Sequence, residues 1–132
     1  DEFDKWVIAP NKEITRRIKE KFPGFPVLGF PRGAGPLYKK FIIETGVDGV
    51  SIDQTVPLDW AAKELQPLCC IQGNLDNLCV VAGGKQMEVQ VQKILDTMTD
   101  GPFIFNLGHG IVPQTPPENV GRVVEMVQNF KK

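Results

Sequence analysis

Four short apolar segments alternate with amphipathic ones along the chain, and this order limits the possible folds more than any other feature of the sequence. The segments predicted as strands are residues 26–30, 47–53, 68–72 and 102–107, and those predicted as helices are residues 4–21, 36–45, 57–64, 87–98 and 117–130. Strands alternating with helices in this way are typical of βα units, which build a parallel sheet. The strands are apolar throughout, which predicts a sheet covered on both faces.

Chain length bounds the size of that sheet. A doubly wound sheet and part of a (βα)8 barrel both fit parallel strands joined by short connections. A complete barrel takes about 250 residues, and 132 residues supply about half of one. We therefore expect a single partial domain over residues 1–132. The chain opens with Asp1-Glu2-Phe3-Asp4 and enters a predicted helix at once, which is typical of a segment from inside a longer protein.

The predicted helices carry recognisable boundary signals. In the first, Trp6, Val7, Ile14 and Ile18 recur near helical spacing and predict an amphipathic helix. Gly46 marks the end of the second, since glycine readily adopts the left-handed conformation that closes a helix.

Each predicted strand is followed by a loop of glycine or polar residues. These loops are residues 31–35, 53–55, 73–76 and 108–110. In both candidate folds, ligands bind at the edge of the sheet where the carboxyl ends of the strands lie. The four loops together predict one binding site on that edge.

The only histidine, His109, lies between Gly108 and Gly110 directly after the last predicted strand. Flanking glycines let a ligand approach the backbone closely, which a packed core position does not require. A lone histidine is more often an ordinary surface or core residue, but this setting favours a functional role for His109.

The loop at residues 31–35 carries weaker signals. Gly33 and Gly35 precede a helix, so the loop amides could hold an anion. A dinucleotide fingerprint would need a third glycine where Tyr38 stands, so that interpretation fails. Arg32 is either a partner for a carboxylate or a solvated loop residue.

Two aspartates, Asp53 and Asp76, each end a strand or open a helix. Aspartate caps helix N-termini well, and we expect capping or loop stabilisation for both. Acid–base chemistry is the alternative role.

The three cysteines are Cys69, Cys70 and Cys79. The first two are neighbours in a predicted strand, so they point to opposite faces and cannot easily bridge each other. We expect reduced, core-packed thiols, consistent with the cytoplasm. No cysteine closely follows His109, and Cys70 and Cys79 are too far apart for a local chelating pair, so we predict no zinc site.

Several function classes lack their sequence signatures. There is no Gly-x-Ser-x-Gly elbow, no phosphate-binding Walker loop and no His-Glu-x-x-His metal motif. No apolar run approaches the roughly 20 residues of a membrane span. The net charge is −1, and the densest basic stretch, residues 12–21, is interrupted by Glu13 and Glu20. We therefore expect neither membrane nor nucleic-acid partners.

Several segments of the chain, taken in order, resemble the uroporphyrinogen decarboxylase family. They are residues 6–10, 29–35, 72–76, 105–111 and 115–120, and the last two, which include Asn106-Leu107-Gly108-His109-Gly110, resemble the C-terminal signature of the family. Two positions depart from the family pattern. Asn77 stands where the family commonly has proline, and Gln54 where it commonly has tryptophan.

The resemblance implies the C-terminal half of a (βα)8 barrel, in a family whose members are usually homodimers. It also implies a cofactor-free carboxy-lyase of haem biosynthesis, which converts uroporphyrinogen III to coproporphyrinogen III by decarboxylating four acetate side chains. The family's binding-site histidine falls on His109, which would bind a substrate carboxylate and assist proton transfer. Arg32, Gly108 and Gly110 are further candidates for binding the tetrapyrrole.

Other catalytic motifs of the family lie in its N-terminal half and are not found in this chain. We therefore expect the isolated chain to be inactive. Its open sheet edges should be covered by a second copy or by the missing N-terminal half.

Two alternatives remain open. A zinc-dependent corrinoid or thiol methyltransferase of the same superfamily would use a His-x-Cys pair, but Ile111 stands two residues after His109. A half-barrel remnant without catalysis would keep the fold alone.

Overall fold

The computed structural model describes residues 1–131 and contains one four-stranded parallel sheet. Its strands are β1 (Leu28–Gly29), β2 (Gly49–Ser51), β3 (Cys70–Leu75) and β4 (Phe103–Leu107). They pair in the order β1-β2-β3-β4, so each strand lies beside its neighbours in the sequence. A doubly wound sheet has a point where the strand order reverses, and this sheet has none within the described part of the chain.

Helical segments precede β1, fill every connection between the strands and follow β4. They are a π-helical turn Asp4–Ile8 that leads into α1 (Ala9–Lys21), a 3-10 turn Gly35–Leu37 that leads into α2 (Tyr38–Thr45), α3 (Leu58–Trp60) continuing as a π-helical turn Ala61–Leu65, α4 (Asn77–Ala82), α5 (Gly84–Met98) and α6 (Pro117–Asn129). As predicted, α2 ends at Gly46, whose φ is 68°, and α6 starts with proline.

The helices cover one face of the sheet. On that face the strand side chains Val50, Ile71 and Leu75 are fully buried and join the same core cluster as Phe41 of α2 and Met98 of α5. This contiguous apolar core supplies the main driving force for the fold.

The opposite face of the sheet is open. Leu28 of β1 is 43% exposed, Ile104 of β4 is 44% exposed, and Asn106 is also exposed. The prediction of a sheet covered on both faces is therefore wrong for the described residues. Helices on one face, sequential parallel strands and an open second face are the arrangement of one half of a (βα)8 barrel, which confirms the predicted fold class.

The sequence prediction is wrong in two respects after the start of the third strand, namely the end of that strand and the helix that follows it. Residues 73–75, predicted as a loop, belong to β3, because Gly73, Asn74 and Leu75 pair with residues 105–107 of β4. Sheet pairing here outweighs the turn preference of glycine and asparagine. The helix α4 was missed, since six residues are too few to show a helical period.

The apolar pattern of the first helix also misplaces its buried side. Trp6 and Ile14 are 64% and 55% exposed, whereas Ile8 and Thr15 are buried. A π-helical turn inserts one extra residue and so rotates the residues before it relative to those after it.

None of the helices within residues 1–131 is long and apolar enough to cross a membrane.

Candidate binding site at the carboxyl ends of the strands

A buried aspartate ties together two loops on this edge of the sheet. Asp53, two residues after β2, is 3% exposed. Its carboxylate accepts hydrogen bonds from the Gly33 amide at 2.8 Å, the Tyr38 hydroxyl at 2.9 Å and the Thr55 amide at 2.9 Å, and from the Thr55 hydroxyl. Asp53 thereby joins the loop after β1 to the turn after β2.

The charge states of this cluster follow from the same contacts. Burial disfavours the ionised carboxylate, but the hydrogen bonds from Thr55, Gly33 and Tyr38 outweigh it and lower the pKa of Asp53 to about 2. Burial, followed by the neighbouring Asp53 carboxylate, raises the pKa of the Tyr38 phenol. At neutral pH Asp53 is thus a charged acceptor and Tyr38 a neutral donor. The arrangement stabilises the loops, which is one of the roles predicted for Asp53.

The end of β3 supports the same turn from the other side. The side-chain amide of Asn74 donates to the carbonyl oxygens of Asp53 and Val56, both at 3.0 Å. Gly73 comes so close to this turn that a Cβ there would lie 2.5 Å from the carbonyl oxygen of Ile52. The turn after β2 is therefore fixed by its neighbours in the sheet.

The loop that carries His109 packs directly against this turn. The Gly108 amide donates to the carbonyl oxygen of Leu75 at 2.7 Å, and a Cβ on Gly108 would lie 2.4 Å from the backbone nitrogen of Gln54. The missing side chain at Gly108 is explained by this contact within the protein. At Gly110, in contrast, a Cβ would meet nothing within 4 Å.

The short helix α4 flanks the same loop. Asp76 caps its start, accepting from the Leu78 amide at 2.9 Å, as predicted. The Asn77 side chain reaches the carbonyl oxygen of Gly110 at 2.8 Å. From the far end of the loop, Asn119 of α6 donates to the Val80 carbonyl oxygen at 2.8 Å.

His109 and Arg32 both lie exposed on this edge. Within residues 1–131 neither side chain makes a hydrogen bond or an ion pair, so both are available to a ligand. Arg32 lines a cavity of about 360 Å³ together with residues 53–55. Gly33, next to Arg32, and Gly108, next to His109, both contact the segment at residues 53–54. The structure therefore brings the four predicted residues, His109, Arg32, Gly108 and Gly110, to one edge.

The family model described as Uroporphyrinogen decarboxylase (URO-D) matches residues 1–130.

The chain belongs to the uroporphyrinogen decarboxylase family.

Curated uroporphyrinogen decarboxylases from three bacteria illustrate the similarity. The protein of Rhodospirillum rubrum is 63% identical over 127 residues, which are 96% of this chain and 36% of that protein. The protein of Novosphingobium aromaticivorans is 43% identical over 131 residues, which are 99% of this chain and 38% of that protein. The protein of Paracoccus denitrificans is 44% identical over 127 residues, which are 96% of this chain and 37% of that protein. The chain therefore spans a little over a third of the length of these relatives.

Membership in the uroporphyrinogen decarboxylase family agrees with the half-barrel and confirms the resemblance. The resembling segment at residues 105–111 comprises the last three residues of β4 and the loop that carries His109.

The thiols of the three cysteines are not activated by their surroundings. All three are unpaired and half-buried. Burial raises the pKa of each thiol, that of Cys69 to about 11, so the thiols are protonated at neutral pH. Among residues 1–131 no three histidine, cysteine or acidic side chains converge in a group that could hold a metal ion.

Sequence reasoning missed the asparagines that organise the edge. Asn74, Asn77 and Asn119 each donate to a backbone carbonyl oxygen 18 to 39 residues away. No local spacing marks such a donor, because its partner is set by the tertiary fold. The strand-end loops indicated where the candidate site lies, but not which side chains fix those loops in position.

Proposed function

We propose that this chain forms the histidine-bearing side of the substrate pocket of a uroporphyrinogen decarboxylase. That enzyme would remove carbon dioxide from the four acetate side chains of uroporphyrinogen III and yield coproporphyrinogen III. The observation that carries the proposal is the unpaired, exposed His109 at the carboxyl ends of the strands, in a chain 63% identical to a relative of that name.

The chemistry requires a proton donor and fixed charges around an anionic tetrapyrrole. Protonation of a pyrrole carbon creates a cationic ring. The electron pair of the breaking carbon–carbon bond flows into this ring as carbon dioxide leaves. A proton then takes the place of the carboxylate, and the ring proton is released. Groups held in place before the reaction stabilise the charge that develops.

In this scheme His109 binds a substrate carboxylate and assists proton transfer, the general acid–base role that histidine plays most often in enzymes. Arg32 would pair with a second carboxylate through its planar guanidinium. Gly110 has open space where a side chain would stand, and Gly108 sets the loop against the turn after β2. No cofactor or metal is needed for these steps.

We further propose that residues 1–132 act as one partial domain, with Lys132 outside the described residues. The rest of the pocket would come from an N-terminal half-barrel, and the complete enzyme would be a cytoplasmic homodimer. The unpaired, half-buried thiols support a reducing compartment.

A chimera tests the function. This chain replaces the matching 127 residues of the Rhodospirillum rubrum relative, and coproporphyrinogen formation is measured. We expect an active enzyme in which His109→Ala lowers kcat/KM about 100-fold, the size typical of a lost proton-transfer group. The matched control is Gln128→Ala, on an exposed part of α6, which should retain full activity.

Two results would contradict the proposal. One is a folded chimera without decarboxylase activity, which would favour the non-catalytic remnant. The other is a His109→Ala variant that is as active as the unsubstituted chimera.

A further inference from the structure

Asn77, the first residue of α4, reaches from its own helix to the loop that carries His109. The residue is 8% exposed, and its side-chain amide donates to the carbonyl oxygen of Gly110 at 2.8 Å. The donor and the acceptor are 33 residues apart in the sequence. The contact therefore joins two separate strand-end segments.

The backbone is held one peptide unit away from His109 on each side, at the Gly108 amide and at the Gly110 carbonyl, while the imidazole itself makes no hydrogen bond within the described residues. On the N-terminal side, Gly108 is held by Leu75 and packs against Gln54. On the C-terminal side, Gly110 has open space around its Cα, since a Cβ there would meet nothing within 4 Å. The Asn77 hydrogen bond restrains Gly110 where packing does not.

The helix that carries Asn77 is itself anchored at both ends. Asp76 caps its start, and Asn119 donates to the carbonyl oxygens of Val80 and Val81 at its end, at 2.8 and 3.4 Å. Val80 is fully buried in the core. Asn77 thus donates from a rigid support, which is what precise placement of a neighbouring loop requires.

We propose that Asn77 is a positioning residue for His109. Its amide fixes the Gly110 carbonyl and thereby the direction in which the imidazole faces a substrate carboxylate. This role rests on the proposed function of His109 and adds the residue that orients it.

Asn77→Pro removes the donor and preserves the helix. Proline is tolerated at the first helical position, where the backbone N–H has no partner within the helix. The preceding residue, Asp76, already has the extended conformation that proline requires, with ψ at 123°. Asn77→Asp is the second variant, because it keeps the size of the side chain and presents an acceptor to the Gly110 carbonyl.

The matched control is Asn11→Ala. Asn11 makes the same kind of hydrogen bond, from its side-chain amide to the Val7 carbonyl oxygen at 2.8 Å, in a half-buried position on α1. It lies outside the strand-end loops, so its loss should leave the kinetics of the chimera unchanged.

Kinetics of the chimera test the role through a double-mutant cycle. A neutral buried hydrogen bond predicts that Asn77→Pro lowers kcat/KM about fivefold, mostly through KM, because ground-state binding is weakened. In the His109→Ala background the same substitution should change kcat/KM less than about twofold, because coupled residues are not additive. Equal losses in both backgrounds, or no loss in either, would overturn the positioning role.

Hydrogen exchange supplies a readout that does not depend on activity. Asn77→Pro should speed exchange about fivefold in a peptide covering residues 106–114, whereas Asn11→Ala should not. Unchanged exchange in that peptide would refute the proposal even if the chimera were inactive. An effect of Asn77→Pro without any effect of His109→Ala would refute the proposed function of His109. If Asn77→Pro prevents folding, Asn77→Asp carries the same expectations.

Discussion

Gly108 and Gly110 flank the same histidine but meet opposite surroundings. Gly108 is buried against the turn after β2, and its missing side chain is required by that contact. Gly110 is exposed and has room for a Cβ. Close packing therefore requires glycine at position 108, whereas position 110 has room for a side chain.

Alanine substitutions separate these contributions. Gly108→Ala places a Cβ 2.4 Å from the backbone nitrogen of Gln54. Because the atoms on both sides of this contact belong to the backbone, relieving it requires a shift of the loop or of the turn. We therefore expect a loss of about 2 kcal/mol or more in the free energy of unfolding. Gly110→Ala should change stability by less than about 0.5 kcal/mol. Urea unfolding of the two chimera variants measures both values. Similar losses for the two would contradict the close packing of Gly108.

How far the sequence predicts the site differs from residue to residue. The exposed position of His109 beyond the end of β4 could be predicted, because a histidine between two glycines at a strand end forms a local pattern, and its role stays a prediction. Asp76 could also be predicted, since helix caps are local. Asn77 could not, because asparagine at a helix start gives no sign of a donor to a carbonyl 33 residues away.

At the scale of the elements, charge and backbone geometry work together in the Asp53 cluster. One carboxylate receives hydrogen bonds from the loop after β1 and from the turn after β2. The contact between the two loops is therefore strongest while that carboxylate is ionised.

The pH dependence of stability follows from this ionisation. The pKa of Asp53 is lowered from 3.8 to about 2 in the folded chain, so its stabilisation is fully present above about pH 4 and is lost as the pH falls through about 2. The effect corresponds to about 2 kcal/mol at neutral pH. Asp53→Asn should cost about that much at pH 7 and progressively less towards pH 2, as followed by urea unfolding. Asp59→Asn, on an exposed part of α3, is the control, and a pH-independent cost for Asp53→Asn would count against the cluster.

The order and type of the longer elements were predictable, and their ends were not. Apolar runs and helix boundary signals indicated all four strands and the long helices. The end of β3 was missed because pairing with β4 determines it. The buried side of the first helix was missed because the π-helical turn Asp4–Ile8 rotates its residues relative to α1, and the spacing expected of a regular helix does not include that rotation.

At the scale of the whole molecule, the sheet ends in two unpaired edges at β1 and β4. The open face of the sheet exposes apolar side chains, among them Leu28 and Ile104. Unpaired strand edges and exposed apolar surface both favour association. The described chain therefore presents a surface suited to contact with further protein.

The purified 132-residue chain should form no coproporphyrinogen and should self-associate with rising concentration in sedimentation experiments. If the open face of the sheet mediates this association, Ile104→Lys should weaken it at least severalfold, because a charge there would be desolvated. Val124→Lys is the matched control, since Val124 is as exposed as Ile104 but lies on α6. A monomeric chain, an active one, or equal effects of the two lysines would contradict this expectation.

The sequential order of the strands has a consequence for inheritance as well as for folding. Since each of the four strands pairs only with the strands before and after it in the chain, all the ladders among them lie within one continuous stretch of polypeptide. Recombination that exchanges this stretch between related genes would leave the pairing among the four strands unchanged. Selection would then act mainly on the two edge strands, where the stretch pairs with the remaining strands of a barrel.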